Sequence, residues 1–323
     1  MSASRLTLAL SDGALRLPEG PVAVFGPPAG YDLSALRPEG TTIVTHFFPD
    51  AAAWAQAGFA VAQAAEGPFA AALVILPRAK DAARALIAEA SAAAPLVIVD
   101  GQKHDGIDSM LKAVKARRAP DGTISKAHGK LFWFTGGDFA DWAAADRAVD
   151  GFITRPGVFS ADGPDKGSLA LIDALPPLKG RVADLGAGWG FLARHILGSA
   201  TVTHLDLVEA DAVALDCARR NVADPRAAFH WADATRFTPD APYDAVVSNP
   251  PFHVSRAGDP GLGQAFISAA ARMLTPHGSF WMVANRHLPY EVALGRSFHH
   301  VEEAGGTPGF KVIHASRPHR IRH

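Results

Sequence analysis

The sequence predicts an α/β protein of two tandem domains, each a mainly parallel sheet with helices on both faces, the second ending in an antiparallel hairpin. Two observations lead to this fold class. Short apolar runs alternate with Ala-rich stretches of helical length in both halves of the chain, which is typical of parallel sheets with crossover helices. Segments of the first half also align without gaps on segments of the second. One domain pattern therefore occurs twice along the chain.

The predicted elements follow this alternation. In the first half the strands are Val22–Phe25, Thr42–Thr45, Ala72–Leu76 and Leu96–Val99. In the second half a strand from Val182 is followed by strands at Thr201–Val208, Ala227–Asp233, Ala245–Ser248 and Ser279–Asn285, with Phe310–Ala315 as an edge hairpin strand. The pattern of the second half predicts helices near Phe191–Leu197, Asp211–Val222, Leu262–Leu274 and Pro289–Ala304.

Composition restricts the class of protein without naming a partner. The 323 residues are 48% hydrophobic and 20% charged, and the formal net charge is -1, so a nucleic-acid partner would have to bind local basic patches. The one cysteine, Cys217, excludes an internal disulfide and favours a reducing cytoplasm. No apolar run approaches the roughly 20 residues that cross a bilayer. We expect a cytoplasmic protein with no membrane segment.

The Gly-, Pro- and Asp-rich run Arg155–Gly167 marks the approach to the second domain, and we place the domains at residues 1–145 and 146–323. The aligned segments differ at polar positions, which suggests a duplication whose first copy lost its site. Convergent patterning of two α/β domains is the alternative. In both cases residues 1–145 are expected to have no cofactor site. The replaced positions are Val24 for Asp184, Pro28 for Gly188 and Ile75 for Asn249.

A glycine turn after the first strand of the second domain suits a nucleotide-like cofactor. Asp184 ends the strand, and Gly186, Gly188 and Gly190 follow at alternate positions. Glycines allow the backbone to approach a ligand closely. The dinucleotide fingerprint G-x-G-x-x-G requires glycine at the position of Phe191. The observed spacing after an aspartate instead favours S-adenosylmethionine.

Two further acids lie at the ends of neighbouring predicted strands. Glu209 follows the second strand and is our candidate for the ribose hydroxyls, with Asp206 as a rival that we expect to face inward or to cap a neighbour. Asp233 ends the third strand and could accept the adenine amino group, although an aspartate there can also cap a turn. Trp189, within the glycine turn, could lie beside the cofactor or pack on the next helix.

The segment S-N-P-P-F-H, residues 248–253, follows a buried strand and cannot continue it, because two prolines block both helix and central strand. It is therefore a fixed loop at the carboxyl end of a strand, where open α/β sheets bind ligands. Asn249 and the Pro250 carbonyl offer acceptors, and Phe252 offers a flat apolar face. This set suits a planar base with an exocyclic amine, whereas the alternative is a structural Pro-Pro turn with a core phenylalanine.

An ordered set of motifs across the second half resembles class I methyltransferases, specifically the bacterial ribosomal RNA guanine-N2 methyltransferases, which include the small-subunit methyltransferase C and its large-subunit relative, methyltransferase G. The resemblance implies two Rossmann-like methyltransferase domains, of which the N-terminal one is degenerate. The motifs are P-G-V-F-S (Pro156 to Ser160), A-D-L-G-A-G-W-G, S-N-P-P-F-H, A-N-R-H-L-P-Y (Ala284 to Tyr290) and F-K-V (Phe310 to Val312).

The resemblance also implies a reaction, methyl transfer from S-adenosylmethionine to guanine N2 of ribosomal RNA, with the small-subunit RNA favoured. Asn249 Oδ1 and the Pro250 carbonyl would each accept one N–H of the amine, and Phe252 would stack on the base. Pro251, His253 and Tyr290 are expected near the substrate, although His253 and Tyr290 could equally be structural. No metal is required, and we expect a monomer that binds ribosomal RNA within a subunit or an assembling particle.

Two other functions stay open at this point. Adenine-N6 and protein-glutamine methyltransferases use related Asn-Pro-Pro loops, but they more often carry Tyr or Trp where Phe252 stands. The second alternative is a non-catalytic RNA-binding or ribosome-assembly protein, and the intact glycine turn argues against it. Basic residues that could contact phosphates, or lie on an ordinary solvated surface, are Lys112, Lys115, Arg117, Arg118, Lys126, Lys130, Lys311, Arg317, Arg320 and Arg322.

Overall fold

The computed structural model describes residues 4–251 and 260–319. The chain forms two compact units, Met1–Asp146 and Arg147–His323. Each unit is built on its own seven-stranded sheet, and a two-stranded ribbon precedes the second sheet.

The first unit has helices beside a mostly parallel sheet in the order β3-β2-β1-β4-β5-β7-β6, in which β7 runs antiparallel to both neighbours. Its strands are β1 (Val22–Phe25), β2 (Thr41–Val44), β3 (Ala60–Ala62), β4 (Ala71–Ile75), β5 (Leu96–Gln102), β6 (Gly122–Lys126) and β7 (Gly129–Thr135). Its α-helices are α1 (Arg5–Ser11), α2 (Phe48–Gln56), α3 (Lys80–Ala93) and α4 (Ile107–Lys115).

The second unit begins with the ribbon β8 (Arg147–Val149) and β9 (Phe152–Thr154). Its main strands are β10 (Gly180–Leu185), β11 (Val202–Glu209), β12 (Ala227–Trp231), β13 (Tyr243–Ser248), β14 (Leu274–Asn285), β15 (Phe298–Gly306) and β16 (Phe310–Pro318). The helices are α5 (Lys166–Ala174), α6 (Phe191–Ile196), α7 (Ala212–Asn221), α8 (Pro260–Met273) and α9 (Glu291–Ser297). The sheet order is β12-β11-β10-β13-β14-β16-β15.

The two sheets have the same strand order, and their central registers also correspond. Val24 of β1 pairs with Leu73 of β4, and Asp184 of β10 pairs with Val247 of β13. These are the same positions that the ungapped sequence alignments place together. The predicted fold class, two tandem Rossmann-like domains with an antiparallel C-terminal hairpin, is confirmed.

Apolar side chains cover both faces of the second sheet. Successive residues of a strand pack alternately in the two core layers. In β10, Val182 packs in a layer with Leu171 of α5 and Leu192 of α6. Ala183 and Leu185 pack on the other face with residues of α8, such as Phe266. Asp184 therefore points to the α5–α6 side, where the side chain is completely buried.

Two predicted elements of the second half are wrong. The predicted helix Pro289–Ala304 ends at Ser297, and the residues from Phe298 form strand β15. The strand β16 pairs with both β14 and β15, so it is an inner strand and β15 is the edge. A tertiary pairing partner, absent from any local pattern, overrides helical periodicity here.

The first unit contains strands that the pattern did not predict, namely β3, β6 and β7. None of the helices found in the described part of the chain is long and apolar enough to cross a membrane.

Candidate active site

The glycine turn and the Asn-Pro-Pro loop leave neighbouring strands at the same edge of the sheet. Strand β10 lies between β11 and β13, and Leu185 pairs with Ser248 in parallel register. The Ser248 hydroxyl donates to the Leu185 carbonyl at 2.7 Å, which ties the two strand ends together. The strands that follow β10 along the chain lie on both of its sides, with β11 and β12 on one side and β13 and β14 on the other. Open parallel sheets bind ligands at the carboxyl ends of the strands at such a switch point.

Each glycine of the turn has a positive φ angle, 75° at Gly186, 56° at Gly188 and 88° at Gly190. A Cβ on Gly190 would lie 2.8 Å from Val222 Cγ2, so this glycine allows the turn to pack against helix α7. A Cβ on Gly188 would meet no atom within 4 Å. Gly188 therefore borders open space, as a residue that faces a ligand must.

Asp184 is buried without compensation. The side chain is 0% exposed, and neither carboxylate oxygen has a hydrogen-bond partner within the described residues. Burial, with a smaller contribution from the charge of Glu209, raises the pKa of Asp184 to about 8. An unpaired buried carboxyl group is costly unless a ligand pairs with it. The arrangement therefore suits a ligand that brings a cationic donor.

Glu209 lies at the end of β11 and closes the glycine turn. Its Oε2 accepts the Gly188 N–H and its Oε1 accepts the Asp211 N–H, both at 2.8 Å. Burial raises the pKa of Glu209, although the two backbone donors oppose this effect. Each oxygen still has a lone pair, so contact with ribose hydroxyls stays a prediction.

Asp233 and Asp206 have different surroundings. Asp233 Oδ1 accepts the Thr235 backbone N–H at 2.9 Å and the Thr235 hydroxyl at 2.6 Å. It therefore caps the turn after β12, and its contact with adenine stays a prediction. Asp206 is buried within β11 and accepts hydrogen bonds from His204, His230 and Tyr243. These bonds account for the inward orientation expected of Asp206.

The side-chain amide of Asn249 is held from one side. Its Nδ2 donates to Asp165 Oδ2 at 3.0 Å and to Ser168 Oγ at 2.9 Å. Asp165 is the N-cap of α5, where the same Oδ2 accepts the N–H groups of Gly167 and Ser168. Sequence reasoning overlooked Asp165 and Ser168, because the run Arg155–Gly167 was interpreted as a boundary segment and no helix was predicted directly after it.

The segment before α5 forms one wall of a cavity beside the glycine turn and Asn249. Phe159 in this wall is 66% exposed, and its carbonyl accepts the Trp189 Nε1–H at 3.0 Å. Ser160, the next wall residue, has a φ of 53°. The Trp189 ring is 4% exposed and packs edge-on against Phe152. Trp189 therefore fixes the wall and also lines the cavity.

The remaining predicted residues are placed as follows. Pro250 is buried and Pro251 is exposed at the end of the described segment, while Phe252 and His253 lie outside the described residues. Tyr290 is 0% exposed and packs so closely on α8 that a side chain at Gly263 would collide with its ring. This is the position of a core residue, and substrate contact by Tyr290 stays a prediction.

Several of the basic residues considered for phosphate contact have acidic partners. In the first unit Arg117 pairs with Asp141 at 2.6 Å, and Lys130 pairs with Asp108. In the second unit Lys311 is buried and donates to the Leu288 carbonyl at 2.8 Å. Among the residues that the structure describes, no group of three or more His, Cys, Asp or Glu side chains is arranged so that it could hold a metal ion.

Comparison with known proteins places these features in a family. The family model "Methyltransferase small domain" matches residues 150–314, more than half of the chain. The ribosomal RNA small subunit methyltransferase C of Shewanella sp. (strain MR-4) is 30% identical over 242 residues, covering 70% of this chain and 71% of that protein. The protein of the same name from Shewanella oneidensis is 31% identical over 215 residues, and the match spans 63% of its length.

A solved structure has the same fold over most of the chain. It is the T. thermophilus 16S rRNA N2 G1207 methyltransferase in complex with AdoMet and guanosine, with a TM-score of 0.78 and 23% sequence identity over 94% of this chain and 90% of that one. At this identity the similarity shows the fold. The family model and the curated relatives show that the chain belongs to the methyltransferase small-domain family, in the branch of the ribosomal RNA small subunit methyltransferases C.

Proposed function

We propose that the second unit transfers a methyl group from S-adenosylmethionine to the exocyclic N2 of a guanine in small-subunit ribosomal RNA. The orientation of the Asn249 amide carries this proposal. With Nδ2 bound to Asp165 and Ser168, the acceptor Oδ1 is the atom left for a substrate. An acceptor at this place, beside the glycine turn, suits an N–H group.

The chemistry follows from the electronic structure of the amine. The lone pair of guanine N2 is delocalised into the ring, so the nitrogen is a weak nucleophile. Asn249 Oδ1 and the Pro250 carbonyl each accept one N–H, which holds the nitrogen pyramidal and directs its lone pair. S-adenosylmethionine supplies an electrophilic methyl group on a sulfonium when bound. Phe252 stacks on the guanine base once that base has left its RNA helix or loop.

The cofactor residues are proposed from the chemistry of their surroundings. The unpaired carboxyl group of Asp184 suits the ammonium of the methionine part, and the open face of Gly188 suits close approach of the ligand. Glu209 binds the ribose hydroxyls with its remaining lone pairs, and Asp233 accepts the adenine amino group through its second oxygen. Gly186 and Gly190 hold the turn in its left-handed conformation.

We propose that the first unit, residues 1–145 in the sequence-based division, binds RNA without a cofactor. By strand register, Val24 stands at the position of Asp184 and Thr45 follows where Glu209 stands. Pro28 cannot adopt the positive φ of Gly188. In addition, the Trp54 Nε1–H donates to the Pro27 carbonyl at 2.9 Å and so holds the prolines in place.

The setting of the reaction is part of the proposal. The enzyme acts as a monomer in the cytoplasm, without a metal ion, on ribosomal RNA within a subunit or an assembling particle. Pro251 and His253 contact the substrate beside Phe252, and Tyr290 packs in the loop after β14, near the substrate.

The substitution Asn249→Ala tests the proposal. Labelled S-adenosylmethionine is incubated with small ribosomal subunits from a strain that lacks the protein, and calorimetry measures cofactor affinity. We expect methyl transfer to fall by about 100-fold or more, because an orienting acceptor is lost, while the cofactor Kd changes less than about threefold. Transfer at the wild-type rate would contradict the role of Asn249. Absence of transfer by the wild-type protein would contradict the proposed function itself.

A further inference from the structure

We infer that Asp165 and Ser168 are positioning residues of the methyl transfer, which act by fixing the side-chain amide of Asn249 with its oxygen toward the substrate amine. The inference rests on the proposed function, since it concerns the same site.

The direction of the amide is dictated by the chemistry of its partners. The Asp165 carboxylate only accepts hydrogen bonds when ionised, so the Asn249 atom that lies 3.0 Å from Oδ2 must be Nδ2. The second N–H points to Ser168 Oγ at 2.9 Å. Both protons of the amide nitrogen are thereby used. The opposite orientation would place Oδ1 against the carboxylate, which is repulsive.

The two partners are themselves fixed. Asp165 Oδ2 accepts the Gly167 N–H at 2.8 Å and the Ser168 N–H at 3.2 Å, so the carboxylate is bound to the first turn of α5. A Cβ on Gly167 would lie 2.8 Å from the same oxygen, so glycine at this position allows the carboxylate to approach the first turn of the helix this closely. Ser168 is 8% exposed, and Leu171 anchors the next turn in the core.

This arrangement has a consequence for selectivity. If the Asn249 amide could rotate by 180°, it would present N–H donors to the substrate part of the time. A substrate amine also offers N–H donors, and two facing donors cannot form a hydrogen bond. By fixing the amide, Asp165 and Ser168 make the site specific for a substrate group that donates, such as an exocyclic amine.

The test is the substitution Ser168→Ala, which removes one partner of Nδ2 and keeps the Asp165 cap of α5. We expect kcat for methyl transfer to small ribosomal subunits to fall about tenfold, because misorientation at the reacting group affects rate more than binding. The cofactor Kd should stay within about twofold of wild type. Ser168→Thr keeps the hydroxyl and should restore most of the rate.

The matched control is Ser199→Ala in the same unit. The Ser199 hydroxyl donates to the Leu178 carbonyl at 2.7 Å. Ser199 lies just before β11 begins, at the amino ends of the parallel strands, whereas Asn249 lies at their carboxyl ends. Ser199→Ala should lower the free energy of unfolding by an amount similar to Ser168→Ala and leave kcat for methyl transfer unchanged. Equal losses of kcat in Ser168→Ala and Ser199→Ala would mean that Ser168 has a purely structural role, which would overturn the inference.

A double-mutant cycle separates positioning from an independent effect. In the Asn249→Ala background, Ser168→Ala should reduce the residual rate by less than about twofold, since there is no amide left to orient. A further tenfold loss in that background would contradict the inference. Asp165→Ser gives a second variant, because serine keeps the helix cap but is too short to reach Asn249. Its kcat should fall at least as far as that of Ser168→Ala.

The outcomes distinguish the two levels of the proposal. If the wild-type protein transfers methyl to guanine and Ser168→Ala and Asp165→Ser keep the wild-type kcat, the inference fails and the proposed function stands. If the wild-type protein does not methylate guanine at all, the proposed function fails.

Discussion

Asp184→Asn removes the ionisable group that the glycine turn encloses while keeping its size. With a pKa of about 8, roughly one molecule in ten has an ionised Asp184 at pH 7 before a ligand binds. Binding a cationic ammonium requires the ionised form. Cofactor binding at pH 7 therefore carries an ionisation cost of about 1.4 kcal/mol, and it releases close to one proton.

Isothermal titration calorimetry at pH 6.5, in two buffers of different ionisation enthalpy, measures that proton. We expect close to one proton released per cofactor bound by the wild-type protein, and a Kd that falls nearly tenfold between pH 6 and pH 7. Asp184→Asn should release none and bind at least tenfold more weakly, since a charge-assisted hydrogen bond is lost. Asp240→Asn, at an aspartate whose side chain is 84% exposed, is the control. Wild-type affinity in Asp184→Asn would refute the pairing of Asp184 with the cofactor.

The raised pKa of Asp184 also determines how pH affects the stability of the unliganded protein. The folded-state pKa of Asp184 lies above its ordinary value of 3.8, so the folded protein retains a proton that the unfolded chain loses. The free energy of unfolding therefore falls as pH rises from about 4 to 8, by at most about 1.4 kcal/mol per pH unit from this group. Urea denaturation should show Asp184→Asn gaining stability relative to wild type between pH 5 and pH 8. A constant difference would contradict the burial of an unpaired carboxyl group.

Two further predictions concern the turn and the strand beside it. Gly188→Val should weaken cofactor binding at least tenfold in calorimetry, because its φ of 56° and its open face both require glycine, whereas Pro28→Ala should leave the cofactor Kd unchanged. Asp206→Asn should lower the free energy of unfolding by about 2 kcal/mol at pH 7 in urea denaturation. Hydrogen bonds from three side chains, opposed by burial, hold the pKa of Asp206 at about 2, so this loss should disappear as pH falls from about 4 toward 2, and a loss that persists at pH 2 would contradict the network.

The local sequence pattern predicts the structure correctly where a feature depends on one strand and the turn that follows it. The strand that contains Asp184, the glycine turn and the strand before Asn249 are all where the sequence predicts them. The positions that the ungapped alignments place together also have matching registers in the two sheets. These features depend on residues close in sequence, and the parallel sheet then brings the strand ends together.

The features that the sequence did not predict depend on contacts between residues that are far apart in the sequence. The partners of the Asn249 amide lie 84 and 81 residues before it, and nothing in the spacing of Asp165 and Ser168 points to Asn249. Strand β15 has a helix-compatible sequence and becomes a strand because β16 offers a free edge. Tyr290 was expected either near the substrate or in the core, and only three-dimensional packing shows its burial against α8.

The nucleoside that the enzyme modifies tests the central claim most directly. Small ribosomal subunits from a strain lacking the protein are incubated with the purified protein and S-adenosylmethionine, and the RNA is digested to nucleosides for mass spectrometry. We predict that N2-methylguanosine appears, close to one per ribosomal particle, and that Asn249→Ala leaves it near background. The appearance of N6-methyladenosine in its place, or of no methylated nucleoside, would contradict the assignment of guanine N2 as the substrate.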